Sequence, residues 1–227
     1  MSLAENIVAV QERILQATKG ENPATKLPRI IAVSKTRTVS DIRAVHEAGF
    51  RDFGENYLQE ALEKIDATQD LDLHWHFIGP IQSNKTAAIA THFDWVQSVD
   101  RLKIAQRLND QRPAGKTPLN ICLQVNADHE TNKSGLHPDE LISFAKKLVP
   151  FDRLRLRGIM AIPARKSEHA AQLEAAHRIA AMYHRLRQVR PEVDTLSLGM
   201  SGDLEAAVLA GSNMLRIGTD IFGSRNQ

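Results

Sequence analysis

Short apolar segments alternate along this chain with longer segments of helical period, and the alternation repeats eight times. "RIIAVSK" (29–35), "RDFGEN", "HWHFIG", "DWVQSV", "LNICLQVN" (119–126), "RLRLRGIMAI", "TLSLGM" and "NMLRIG" read as strands. "SDIRAVHEAG" (40–49) reads as a helix with Ser40 as its N-cap and Gly49 as its stop. "YLQEALEKIDA", "SNKTAAIATHF", "HPDELISFAKKL" and the long "EHAAQLEAAHRIAAMYHRLRQV" are helical. So are "DRLKIAQRLNDQ", with Asp100 as its expected cap, and "GDLEAAVLAG", closed by Gly211. "GENYLQE" reads as a helix start with a capping residue. After the last strand only "TDIFG" remains, and Leu3, Ile7, Val10 and Ile14 mark an amphipathic N-terminal helix that could cover the gap. Alternating units of this kind build a parallel sheet. Eight of them in 227 residues predict a closed (β/α)8 TIM barrel, an α/β fold, with a doubly wound open sheet as the alternative. No Pro- or Ser-rich linker divides the chain, so residues 1–227 are expected to form a single domain.

Strand faces follow from the two-residue period. In the fifth strand Leu119, Ile121, Leu123 and Val125 share one face, which should meet the helices. Asn120, Cys122, Gln124 and Asn126 share the other, which should line the barrel. By the same rule Ile31, Val33 and Lys35 share a face, with Lys35 at the C-terminal mouth where barrel sites form. A lysine there has two readings. Its head group could reach into solvent at the strand end, or it could be a desolvated amine, competent to attack a carbonyl and form a Schiff base.

The other end of the chain bears on that choice. "SLGMSGDLEAA" follows strand seven and "RIGTDIFG" ends strand eight, the two loops that bind phosphate in many barrels. Ser201, Gly218 and Thr219 are candidate phosphate contacts there, or plain cap and turn residues. Asp203 and Glu205 would repel a phosphate and are expected to point away. Arg216 shares a face with Met214, so it should project into the barrel, where it must meet a carboxylate or serve a ligand. Strands one and eight are neighbours in a closed barrel, which brings Lys35, Arg216 and the glycine turn together.

Composition excludes several classes. Lys and Arg total 29 against 27 Asp and Glu, a net charge of +2 that implies neither nucleic acid nor an anionic membrane. The single cysteine, Cys122, builds no disulfide and suits a reducing cytosol. Polar residues interrupt the N-terminal segment, so it is no signal peptide, and no apolar run reaches the ~18 residues of a membrane span. His74 and His76 share a strand face at a spacing zinc can use, but no third ligand is suggested, so no metal site is assigned.

With these residues in view the chain resembles the pyridoxal phosphate homeostasis proteins, single-domain relatives of the alanine racemase N-terminal barrel. The resemblance rests on "IAVSKT", "FGENYLQEALEK", "WHFIGPIQSNK", "SVDR", "NKSGL", "RGIMAI", "LSLGMSGDLEAAV" and "RIGTDIFG", in order over almost the whole chain. It implies a fold-type III barrel that binds pyridoxal 5′-phosphate (PLP). Lys35 then stands at the Schiff-base position, and Ser201, Gly218 and Thr219 in the phosphate-binding segments. Arg216 stands opposite the pyridine nitrogen, and Asn56 near the cofactor. Facing a charged arginine, that nitrogen stays unprotonated and the ring is a weaker electron sink. The family often carries a second lysine and a proline where this chain has Arg37 and Thr38. Lys133 is a family-like lysine near the mouth, expected to help release or accept the cofactor.

Two functions compete. The resemblance favours intracellular PLP homeostasis, meaning storage, buffering or delivery to apo-enzymes that use PLP, by a cytoplasmic monomer with no catalytic residues of its own. The alternative is a PLP-dependent racemase. Two-base racemisation needs bases on opposite faces of the substrate carbon. Lys35 supplies one, and neither Tyr57 nor Tyr183 is placed as a second, Tyr183 lying on a long outer helix.

Overall fold

The computed structural model describes residues 2–18, 27–128 and 134–224. Its strands are β1 (Arg29–Val33), β2 (Asp52–Glu55), β3 (His74–Phe77), β4 (Trp95–Val99), β5 (Leu119–Val125), β6 (Leu154–Ala161), β7 (Thr195–Ser197) and β8 (Met214–Ile217). All pair in parallel and in sequence order, and β8 returns to β1, so the sheet is a closed barrel and the open-sheet alternative is excluded. Helices α2 (Val39–Glu47), α3 (Leu58–Ala67), α4 (Thr86–His92), α5 (Leu102–Gln111), α6 (Leu141–Lys147), α7 (His169–Val189) and α8 (Leu204–Leu209) each follow a strand. Only α9 (Thr219–Phe222) follows β8, and α1 (Leu3–Ala17) packs against α8 and α9, filling that sector. Its Ile7, Val10 and Ile14 are buried, each stabilising by up to about 1.5–3 kcal/mol.

The alternation predicted for β5 holds. Leu119, Ile121, Leu123 and Val125 belong to the shell between sheet and helices, while Cys122 joins Ile31, Trp95, Met160 and Met214 inside the barrel. The two faces also stay in phase from β1 to β8, because Ile31 is in register with Arg216 and Arg29 with Met214. Against β6 the register shifts between Ile121 and Cys122. Just past that shift Gly158 lies so close to β7 that a β-carbon there would fall 1.7 Å from Thr195 O. Only glycine admits that approach.

Several local expectations need correction. The cap of α2 is Thr38, not Ser40. Thr38 Oγ1 accepts from Asp41 N while the Asp41 carboxylate accepts from Thr38 N, a capping box that starts the helix two residues earlier. Asp100 does not cap α5, because its carboxylate accepts from Arg101 Nε instead. The start of α3 has no side-chain cap either, since its N-cap is Tyr57. The first strand ends at Val33, so Lys35 lies in the turn beyond it. Among the described residues no helix is long and apolar enough to cross a membrane.

Candidate functional site

Lys35 is the second residue of a turn that runs from Ser34 to Arg37 and is closed by Arg37 N donating to Ser34 O at 3.0 Å. Thr36, at the third position, has φ +64°, the sign a type II turn demands there. A β-branched residue resists that conformation, so something must hold it. Thr36 N donates to the Glu60 carboxylate, and Lys64 Nζ donates to Glu60 at 2.6 Å, to Ser34 O at 2.7 Å and to Glu55 Oε1 at 2.7 Å. Ser34 Oγ also donates to Glu55. The lysine-bearing turn is therefore strapped from behind by α3 and β2, which leaves the Lys35 side chain on the side of the mouth. Burial pushes the Glu55 carboxyl above its ordinary range, against the opposing hydrogen bonds from Lys64 and Ser34.

That mouth holds a cavity of about 1050 Å³, at the upper end of small-molecule sites. Lys35, Asn56, Ser201, Arg216, Gly218 and Thr219, every site residue expected from sequence, line it together. Asn56 is held by Gly79, where a β-carbon would fall 2.2 Å from Asn56 O. The Asn56 Oδ1 atom is buried and has no hydrogen-bond partner among the described residues, an acceptor with capacity to spare on a residue that lines the mouth.

Arg216 projects into the lumen as expected and is only 4% exposed. It meets no carboxylate among the described residues. Nη1 donates to Ser197 Oγ at 2.7 Å and Nη2 to Ala161 O at 2.9 Å. Burial lowers its pKa to about 10, still far enough above neutrality to keep the charge. A buried cation with donors left over at a cavity wall is matched by an acceptor on a ligand.

Ser201 is not a helix cap. Its hydroxyl accepts from Asp220 N at 3.3 Å, tying the loop after β7 to the first turn of α9 beside Gly218 and Thr219. Arg13 of α1 braces the same place, a link the sequence reading missed. Its guanidinium donates to Ser201 O at 3.0 Å, grips Glu205 through Nε at 2.6 Å and Nη2 at 2.9 Å, and pairs with Asp220. Glu205 is thereby drawn off the mouth, as expected. Asp203 is not. It lines the cavity, with Oδ1 accepting from Met200 N at 2.6 Å.

The remaining candidates sort clearly. Arg37 does not line the cavity. It donates to Gly223 O and lies over the Phe222 ring at 5.6 Å, pinning the end of α9. Lys133 lies outside the described residues. Cys122 is fully buried, and burial pushes its thiol up to about 12, away from reactivity. Tyr183 is buried on α7. His76 is fully buried and His74 is not, and among the described residues no group of three or more ligands could hold a metal. Ile162, Arg165, Lys166 and Gln172, from the segment after β6 and from α7, extend the cavity outward and were not anticipated.

The donor set fits the cofactor that the resemblance implies. It offers an amine for an aldehyde, a buried guanidinium for a ring nitrogen, and hydroxyls with a glycine turn for a phosphate. The alanine racemase N-terminal domain family matches residues 4–226. The chain is 54% identical over 227 residues to the pyridoxal phosphate homeostasis protein of Pseudomonas aeruginosa, covering 99% of this chain and 96% of that one. A solved structure of PipY from Synechococcus elongatus PCC7942 with PLP bound is 34% identical, covers 94% of this chain and 100% of its own, and superposes with a TM-score of 0.81. Alanine racemase of Clostridium difficile 630 shares the fold alone, at 14% identity and a TM-score of 0.75, with 58% of its chain covered.

Proposed function

The chain belongs to the pyridoxal phosphate homeostasis proteins within the alanine racemase N-terminal domain family, and on that premise we propose that it binds PLP covalently through Lys35 to manage the cofactor's supply. Lys35, Asn56, Ser201, Arg216, Gly218 and Thr219 are its binding residues in this reading. One observation carries it: Lys35, held by a braced turn, shares a cavity with a charged arginine that meets no carboxylate among the described residues. PLP supplies an electrophilic aldehyde and a conjugated ring. The chain's residues bind and orient it. Lys35 gives the attaching amine, Arg216 faces the ring nitrogen and keeps it unprotonated, and the segment around Ser201, Gly218 and Thr219 receives the phosphate.

The reading is a carrier rather than a catalyst. An arginine at the ring nitrogen weakens the ring as an electron sink. The two tyrosines are poorly placed as a second base, Tyr57 being 58% exposed and outside the cavity lining and Tyr183 packed on α7. The protein is taken to act in the cytoplasm, as a monomer, with apo-enzymes that use PLP as recipients. The test is a transfer assay. The holo-protein is mixed with an apo-enzyme while a trap consumes free PLP. Reactivation that survives the trap supports direct delivery, and reactivation abolished by it limits the role to buffering. A protein that binds no PLP at all contradicts the reading.

A further inference from the structure

Arg216 is joined to the opposite end of the barrel by an unbroken row of side-chain hydrogen bonds. Its Nη1 donates to Ser197 Oγ at 2.7 Å, and Ser197 Oγ lies 2.6 Å from Gln97 Oε1. Gln97 Nε2 lies 3.1 Å from His76 Nδ1, and His76 Nε2 lies 2.9 Å from Asp52 Oδ1. Asp52 is closed at the far end by Arg29, through Nε at 2.6 Å and Nη2 at 2.6 Å. Ser197, Gln97 and His76 are fully buried, and each comes from a different strand.

The row has one polarity, and both ends dictate it. Arginine can only donate, so Ser197 Oγ accepts from Arg216 and must spend its own proton elsewhere. An ionised Asp52 can only accept, so His76 carries its proton on Nε2 and presents Nδ1 as an acceptor. Gln97 must then give an N–H to His76 and offer its oxygen to Ser197. The distances agree, since 2.6 Å is typical of O–H···O and 3.1 Å of a donor nitrogen. The second Gln97 N–H is also used, on Met214 Sδ at 3.3 Å. Turning the amide over would set an N–H donor against Ser197 and an oxygen against a lone pair. A protonated His76 would force that turn, but burial lowers its pKa despite Asp52 beside it.

We propose that Ser197, Gln97, His76 and Asp52 are positioning residues for Arg216: a one-way hydrogen-bond chain, anchored at its far end by the Asp52–Arg29 pair, that holds the guanidinium in a single orientation toward the ring nitrogen of bound PLP. The neighbouring lumen positions Ile31, Met160 and Met214 show that apolar filling is available to this barrel. A buried polar row is costly unless every member is satisfied, and this one is satisfied in only one arrangement. It supplies Arg216 with a fixed neutral acceptor, Ser197 Oγ, so no carboxylate has to pair with the guanidinium where the ligand binds. The inference rests on the PLP-binding reading above.

The experiment pairs Ser197→Ala, which cuts the chain beside Arg216, with Ser212→Ala. Ser212 is also buried and bonded, but only to backbone carbonyls outside the chain. Ser197→Ala is expected to weaken PLP binding roughly tenfold, the order seen when an outer partner of a ligating group is removed, and to move the pH midpoint of the imine absorption band. Ser212→Ala should lower the melting temperature and leave both readings as in the wild type. Equal behaviour of the two variants overturns the proposal. A second measurement needs neither variant nor cofactor. Nitrogen NMR of His76 in the apo-protein at neutral pH should show Nε2 protonated and Nδ1 as a hydrogen-bonded acceptor, and protonation at Nδ1 overturns the chain. A wild-type protein without an imine band contradicts the PLP reading instead, and the NMR result separates the two failures.

Discussion

Lys64 Nζ lies 2.7 Å from Glu55 Oε1, with both groups shut away from solvent directly behind the turn that carries Lys35. A buried ion pair is weak support for stability in itself. Here its position matters more, because the same ammonium reaches Ser34 O and Glu60, and Glu60 holds Thr36 N. The pair converts the stiffness of α3 and β2 into a fixed aim for the lysine.

Lys64→Met should therefore cost about 3–5 kcal/mol, the usual penalty for stranding a buried charge, read by denaturant unfolding. It should also change the pH dependence. Burial raises the Glu55 pKa above its ordinary 4.5, so the folded chain keeps a proton that the unfolded chain has released. The contribution of Glu55 to stability is then most favourable below the unfolded value and declines as pH rises through the folded one. Without Lys64 to oppose the shift, the decline should extend to higher pH. Unchanged stability and an unchanged profile would remove the brace from the account.

Thr36→Gly should stabilise the apo-protein by about 1 kcal/mol, because glycine relieves the left-handed cost at φ +64°. The imine should still form, since the Glu60 contact uses the backbone N–H. A loss of stability would mean that the threonine side chain matters in a way the turn geometry does not explain.

Arg13→Ala should cost only about 1 kcal/mol of stability, because its ion pairs are partly exposed. The larger effect should fall on ligand binding. Freed Glu205 and Asp220 carboxylates beside an unbraced Ser201 should weaken PLP several-fold while weakening pyridoxal, which lacks the phosphate, far less. Titrating both compounds separates the cases, and equal losses would argue against Ser201 as part of a phosphate site.

No alanine racemisation should be detectable. Turnover near ordinary enzyme rates, about 1 per second or more, measured by chiral chromatography, would return the protein to the racemase reading.

Much of this was legible in the sequence because barrel strands impose strict alternation. The period of two assigned Leu119 to the shell and Cys122 to the lumen and put Arg216 on an inward face, while Lys35 reaches the cavity from the turn beyond β1 rather than from a strand position. What stayed hidden was set by contacts between distant segments. Thr38 outcompetes Ser40 as a cap because Asp41 completes its capping box, a choice between two hydroxyl residues two positions apart that spacing alone did not resolve. Asp52, His76 and Gln97 lie on three different short strands, and nothing local says that they meet. Arg13 reaches Glu205 across 192 residues, so its help in steering acid away from the mouth has no sequence signature.

The most direct test is reduction of the PLP-loaded protein with borohydride followed by peptide mapping. PLP attachment through Lys35 predicts a yellow protein whose imine band disappears on reduction, with the stable adduct on Lys35 and absent in Lys35→Ala. An adduct on another lysine, or a protein that develops no imine band with PLP, contradicts it.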